Sequence, residues 1–238
     1  MKLFVINELG NEIETSDKTK FIEHWQNKYY DYTSISDSIY HRINEAIQKE
    51  KDLKNAFMLM GAWKTGVLSR NSKYDRMAFE CECGEKYYFT SMWKKGTSSA
   101  FEIWINLYLD FESHKRLLKE GKATKLVKEL RKKTYSGSKS KYTRFGMIYA
   151  ITYLHFLNNA YPIYDNFVLK ALREIFTNKI VKNINDEPEQ YFNEFLSFFN
   201  KFTQDYKGES RNIDKTLWTF GHHINGSRKM KQHPCCRI

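Results

Sequence analysis

The chain has 238 residues, 16% of them aromatic, with 3 Pro and 11 Gly. That is enough apolar material for a sizeable core and too few turn residues for an all-β protein of tight hairpins. No run of about 18 apolar residues occurs, which excludes a membrane-spanning helix, and the formal net charge of +11 points to a polyanionic partner rather than a membrane interior.

The N-terminus, Met1-Lys2-Leu3-Phe4-Val5-Ile6-Asn7-Glu8, turns acidic too early for a secretory signal. A cytoplasmic chain with reduced thiols is therefore expected. Ser16-Asp17 can cap a helix over 18–30, with Phe21, Ile22 and Trp25 inward. A second helix over 35–50 carries Ile39, Ile43 and Ile47 on one stripe, and a third runs over 53–64. Residues 81–90 contain Gly84 and Tyr87-Tyr88-Phe89 and read as a small β-hairpin or a loop. Ser98-Ser99 start a helix through Trp104 and Leu107, and Gly121 breaks the helical region that follows.

Thr134-Tyr135-Ser136-Gly137-Ser138-Lys139-Ser140 is the clearest turn. The segment 143–158 is apolar around most of its circumference, so it is expected to be central and buried. Further helices are expected after Asp165, over 188–202 and over 212–222, with a basic tail at 226–238. The expected fold is mostly α and two-lobed. Residues 1–113 form one helical lobe, on the side of a base pocket, and 114–225 form a second.

Charge is unevenly placed. Between Lys115 and Arg144 there are twelve Lys/Arg against Glu120 and Glu129. Nearly all of the excess therefore lies in one segment, the electrostatic footprint of a nucleic-acid partner.

Tyr161-Pro162-Ile163-Tyr164-Asp165-Asn166-Phe167-Val168 separates two apolar segments. Pro162 disfavours helix at Tyr161. Asp165 stands where the next helix begins, placed to accept from the N–H of Phe167 or Val168. The positive end of that helix favours the ionised carboxylate. A held, charged carboxylate is what a reaction through a sugar cation requires.

The order of helix, short small-residue turn, helix, then Pro-x-x-Asp opening a third resembles the helix-hairpin-helix DNA glycosylases. The resemblance covers about 115–221 and rests on Pro162, Asp165, Val168 and Leu172, and on Arg211 to Gly221 as a closing helix. It implies a two-lobed helix-hairpin-helix fold with Asp165 as the catalytic residue. The family's hairpin carries Gly-x-Gly, whereas this chain has Ser136-Gly137-Ser138 and Gly146. Bifunctional members carry a lysine in the second hairpin helix. Here that neighbourhood reads Arg144-Phe145-Gly146-Met147, so no Schiff base is expected.

The resemblance thus implies a monofunctional enzyme that hydrolyses the N-glycosidic bond of a flipped base and leaves an abasic site. Lys132, Lys133, Gly137, Lys139, Lys141 and Arg144 are the expected DNA contacts. Trp63, Trp93, Asn159, Tyr161 and Tyr164 are candidates for the base pocket, with Tyr87, Tyr88 and Asn158 as further options. The segment 1–113 matches no repair subfamily, which favours an unusual base such as a hypermodified phage cytosine and an anti-phage role. A monomer is expected.

No cofactor or metal is expected. Cys81-x-Cys83 and Cys235-Cys236 lack the usual zinc-ligand spacing. Two other readings remain open: a non-catalytic nucleic-acid-binding module with the same hairpin fold, and a nuclease. Asp110 and Glu112 are the acidic pair closest to the nuclease reading.

Overall fold

A computed structural model of the chain describes residues 1–33, 35–71, 73, 76–90, 99–135, 143–177 and 187–229. The fold is mostly helical with small antiparallel sheets. It contains two units: the middle of the chain, Ile35–Asn158, and an end unit that joins Met1–Ser34 to Asn159–Ile238. The expected lobes, 1–113 and 114–225, are both contiguous, whereas the end unit joins two separate stretches because the first helix packs with the last.

In the middle unit, α2 (Ser38–Gln48) buries the predicted Ile39, Ile43 and Ile47, together with Tyr40. The next helix, α3 (Leu53–Thr65), stops at Gly66. Gly66 has φ +72°, a left-handed conformation that a glycine takes without Cβ strain. Strands β3 (Leu68–Ser69), β4 (Met77–Glu80) and β5 (Lys86–Phe89) form an antiparallel sheet in the order β3-β5-β4. The β4–β5 pair is the hairpin expected near 80–90. Alternation puts Phe79, Tyr87 and Phe89 inward, and the Tyr87 hydroxyl accepts from the Ser36 N–H at 2.9 Å.

Helix α4 (Ser99–Asn106) buries Trp104 completely. A one-turn 3-10 segment then leads into α5 (Phe111–Lys119), and Gly121 turns the chain into α6 (Ala123–Lys132). The apolar face of α6 is Ala123, Leu126, Val127 and Leu130, all buried. Two-residue strands β6 (Thr134–Tyr135) and β7 (Thr143–Arg144) pair antiparallel after it, and α7 (Met147–Leu157) follows. Every residue of α7 from 150 to 156 is buried, so this helix is central, as its composition requires.

The end unit opens with β1 (Leu3–Ile6) and β2 (Glu12–Thr15), an antiparallel hairpin that the sequence reading did not anticipate. Asp17 caps α1 (Lys18–Asn27) by accepting from the Lys20 N–H at 3.0 Å. Phe21, Ile22 and Trp25 are buried as expected, but the helix ends earlier than residue 30 and passes into a 3-10 turn, Tyr29–Asp31. Beyond α8 (Asn166–Ile175), the helix expected over 188–202 is three pieces in line: α9 (Pro188–Gln190), a π-helical turn (Tyr191–Phe195) and α10 (Leu196–Thr203). The last helix, α11 (Ser210–Ile224), packs on α8 and α1, and Thr216 donates its hydroxyl to the Ile22 carbonyl at 3.0 Å. Among the described residues no helix is long and apolar enough to cross a membrane.

Candidate active site

Asp165 is the N-cap of α8. Its backbone is extended, at φ −150° and ψ 175°. Oδ1 accepts from the Phe167 N–H at 2.8 Å and the Val168 N–H at 2.9 Å. These are two of the donors that a helix start leaves without intrahelical partners. The residue is half-buried, and the two backbone donors fix its carboxylate.

The loop that delivers Asp165 is anchored. Pro162, Ile163 and Tyr164 are buried, and the Tyr191 hydroxyl donates to the Pro162 carbonyl at 2.8 Å. Tyr164 packs edge-on against Phe195, centroids 5.1 Å apart. Only 4% of Tyr164 is exposed. Its expected place in the base pocket is therefore corrected: the ring belongs to the core under Asp165. Tyr161 is half-buried and edge-on to Phe192. Asn159, also half-buried, lies in the same loop.

An aromatic cluster that the sequence reading missed adjoins the cap. The His222 ring stacks on Phe167 at 3.5 Å and 18°, and on Tyr32 at 5.4 Å and 22°. The Trp218 ring is 4.0 Å from His222. Both His222 nitrogens are buried without a hydrogen-bond partner among the described residues. Burial and the nearby Lys170 charge lower its pKa to about 4, so the imidazole is neutral at pH 7 and held by ring stacking. The available signal was the i, i+4 spacing of Trp218 and His222 on an expected helix. Phe167, which brings α8 to them, already stood in the Asp165 motif.

The close approach of the two helices depends on Gly221. A Cβ there would lie 2.1 Å from the Phe167 carbonyl oxygen. Glycine at this position lets the first turn of α8 rest on the α11 backbone.

The remaining candidates belong to the middle unit. Trp63 is half-buried, edge-on to Phe156 at 6.1 Å, with the Lys64 ammonium 4.3 Å from its ring centroid. Tyr87, 1% exposed, is core. On the polar side of α5 and α6, Arg116, Lys119, Lys122, Lys125, Lys128 and Lys132 are exposed. Lys133 is less available than expected, because its ammonium pairs with Asp110 Oδ2 at 3.0 Å. That ion pair also occupies the carboxylate on which the nuclease reading drew.

The predicted turn between the two hairpin helices includes the β6–β7 ladder, in which Arg144 pairs with Thr134. Gly137, Lys139, Lys141 and Trp93 lie outside the described residues.

Two buried tyrosine–histidine pairs brace α7. The Tyr153 hydroxyl is 2.8 Å from His114 Nδ1, and the Tyr40 hydroxyl is 2.8 Å from His155 Nε2. Burial lowers the His114 pKa and raises that of Tyr153 well above 10, which suits neutral, hydrogen-bonded core groups. Among the described residues no group of three or more His, Cys, Asp or Glu is placed to hold a metal ion. Cys235 and Cys236 lie outside them.

Compared with known proteins, the chain matches no family model, no curated protein and no solved structure.

Proposed function

We propose that the protein is a monofunctional DNA N-glycosylase of the helix-hairpin-helix type, acting on a modified or damaged base. The observation that carries this reading is the Asp165 carboxylate, fixed by the N–H groups of Phe167 and Val168 at the start of α8 on a residue that is half-buried. Support comes from the exposed lysines and arginines of α5 and α6, a surface suited to phosphates.

In this reading a nucleotide leaves the stack, at a cost of about a few kcal/mol, least for a base already weakly paired. The C1′–N bond breaks, and its electron pair leaves with the base. Asp165 stabilises the cation that develops on the sugar and receives a proton from the water that attacks C1′. That proton passes by way of solvent to the departed base, which regenerates the carboxylate, and the products are the free base and an abasic site. No lysine is assigned to attack the sugar, so the strand stays intact. A bulky modified cytosine is the proposed substrate, and the cytoplasm the proposed compartment.

The test uses genomic and phage DNA carrying different base modifications, incubated with the protein and then treated with alkali. Breaks that need the alkali step support a glycosylase. Breaks without it indicate a nuclease or lyase, and intact but retarded DNA indicates a binding module.

A further inference from the structure

The helix expected over 188–202 is interrupted at Tyr191–Phe195 by a π-helical turn. Such turns are rare and recur at functional sites. The α form is the ordinary preference of the backbone, so this turn is kept by what its side chains pack against.

Its aromatic residues face the loop that delivers Asp165. The Phe192 ring is edge-on to Tyr161, centroids 5.8 Å apart. The Tyr191 ring is edge-on to Tyr164 at 6.2 Å, and Phe195 closes on the same Tyr164 at 5.1 Å. Tyr191 and Phe195 stack on each other at 5.3 Å and 20°, both wholly buried. The one polar contact in this packing is directional: the Tyr191 hydroxyl donates to the Pro162 carbonyl at 2.8 Å.

Ring packing sets how deeply Tyr161 and Tyr164 sit, whereas the hydrogen bond sets the rotation of the peptide group that follows Pro162. The proline ring already fixes φ at that residue. Ile163 and Tyr164 are buried, so the chain has little room to absorb a rotation of that peptide before it reaches Asp165. A misplacement of about 1 Å at a reacting group can cost about a hundredfold in rate. Burial, then the nearby Asp214 and Tyr161, raise the Tyr191 pKa well above 10, so the hydroxyl keeps the proton it donates at neutral pH.

We propose that Tyr191 is a positioning residue for Asp165: its hydroxyl, carried by the π-helical turn, orients the Pro162–Asp165 loop and so aims the carboxylate. The effect on base release rests on the glycosylase reading, and the effect on the cap does not.

Tyr191→Phe removes the hydroxyl and keeps the ring in its stack. Thr216→Val is the control, because it also deletes one hydroxyl donated to a buried carbonyl of the same unit, that of Ile22. Amide hydrogen exchange is the first readout. Tyr191→Phe speeds exchange at the Phe167 and Val168 N–H groups, the donors to Asp165, by about tenfold more than Thr216→Val does, the scale of one hydrogen bond. Leu172, further along α8, responds equally to the two variants. The second readout is base release under conditions where both variants are fully folded. Tyr191→Phe lowers kcat by about tenfold with KM and DNA retention unchanged, and Thr216→Val leaves kcat as in the parent chain. The proposal is overturned if Phe167 and Val168 exchange alike in the two variants, which marks lost stability alone, or if an active parent keeps its kcat in Tyr191→Phe. A parent chain that releases no base removes the glycosylase reading, and the exchange rates then decide the positioning role by themselves.

Discussion

The imidazole of His222 and the ring of Phe167 stack nearly parallel, 3.5 Å apart, and Phe167 donates its backbone N–H to Asp165 at 2.8 Å. The cap and the aromatic cluster are thus two ends of one residue. Whatever shifts the Phe167 ring also shifts a donor that fixes the carboxylate.

Asp165→Asn and Asp165→Ala separate chemistry from capping. Asparagine caps a helix about as well as aspartate, whereas alanine costs about 1 kcal/mol. Urea unfolding is expected to show Asp165→Asn near the parent stability and Asp165→Ala lower by that amount. Both are expected to lose base release by about a hundredfold or more, with DNA retention in a mobility-shift assay unchanged. Full activity in Asp165→Asn would remove the assignment.

Gly221→Ala places a methyl group 2.1 Å from the Phe167 carbonyl oxygen. That contact is with backbone, so α8 and α11 must separate. A loss of about 1–3 kcal/mol is expected from urea unfolding. Base release should fall further than stability alone explains, because the first turn of α8 moves with Phe167.

Acid is expected to destabilise the end unit through two histidines. His24 Nε2 accepts from the Ile6 N–H at 3.0 Å, an arrangement that needs the neutral ring. Burial, then Lys28, His223 and Lys20, lower its pKa from 6.5 to about 4. His222 is also lowered to about 4. Between those values the unfolded chain takes up protons that the folded chain refuses. Stability is therefore fully present above pH 6.5 and falls as the pH drops toward 4. Tm measured from pH 7 to 4.5 checks this, and His222→Phe, which keeps a ring in the stack without a titrating group, should flatten the slope.

Lys122→Ala, Lys125→Ala and Lys128→Ala together strip one exposed face of α6. If those ammonium groups neutralise phosphates, the slope of log binding constant against log salt should become shallower by about 0.9 per lost contact on duplex DNA. The loss should be similar for all sequences, because phosphate contacts carry no base information. An unchanged salt slope would place the DNA elsewhere.

The helices were legible wherever an apolar stripe recurred at helical spacing, as at Ile39, Ile43 and Ile47, or wherever composition left no polar face, as in α7. Asp165 was legible because proline before and an apolar run after it leave few conformations for a cap. The aromatic cluster was not, since Tyr32, Phe167 and His222 are far apart in sequence and meet only through tertiary packing. The N-terminal hairpin was missed for a related reason. Leu3 and Val5 alternate inward on β1, but β2 is almost wholly exposed and carries no matching pattern. A four-residue strand gives too little period to read.

The end unit draws on both extremes of the polypeptide: the Lys2 N–H reaches the Ile175 carbonyl at 2.9 Å, and Thr216 bonds Ile22 at 3.0 Å. During synthesis the first 34 residues must therefore wait for α11 to complete their packing, whereas the contacts of the middle unit lie within the contiguous stretch 35–158. A chain halted before α11 would leave Phe21, Ile22 and Trp25 without their packing partner, a greasy stub suited to chaperones and proteases. The packing around Asp165 is thus completed only once α11 is present.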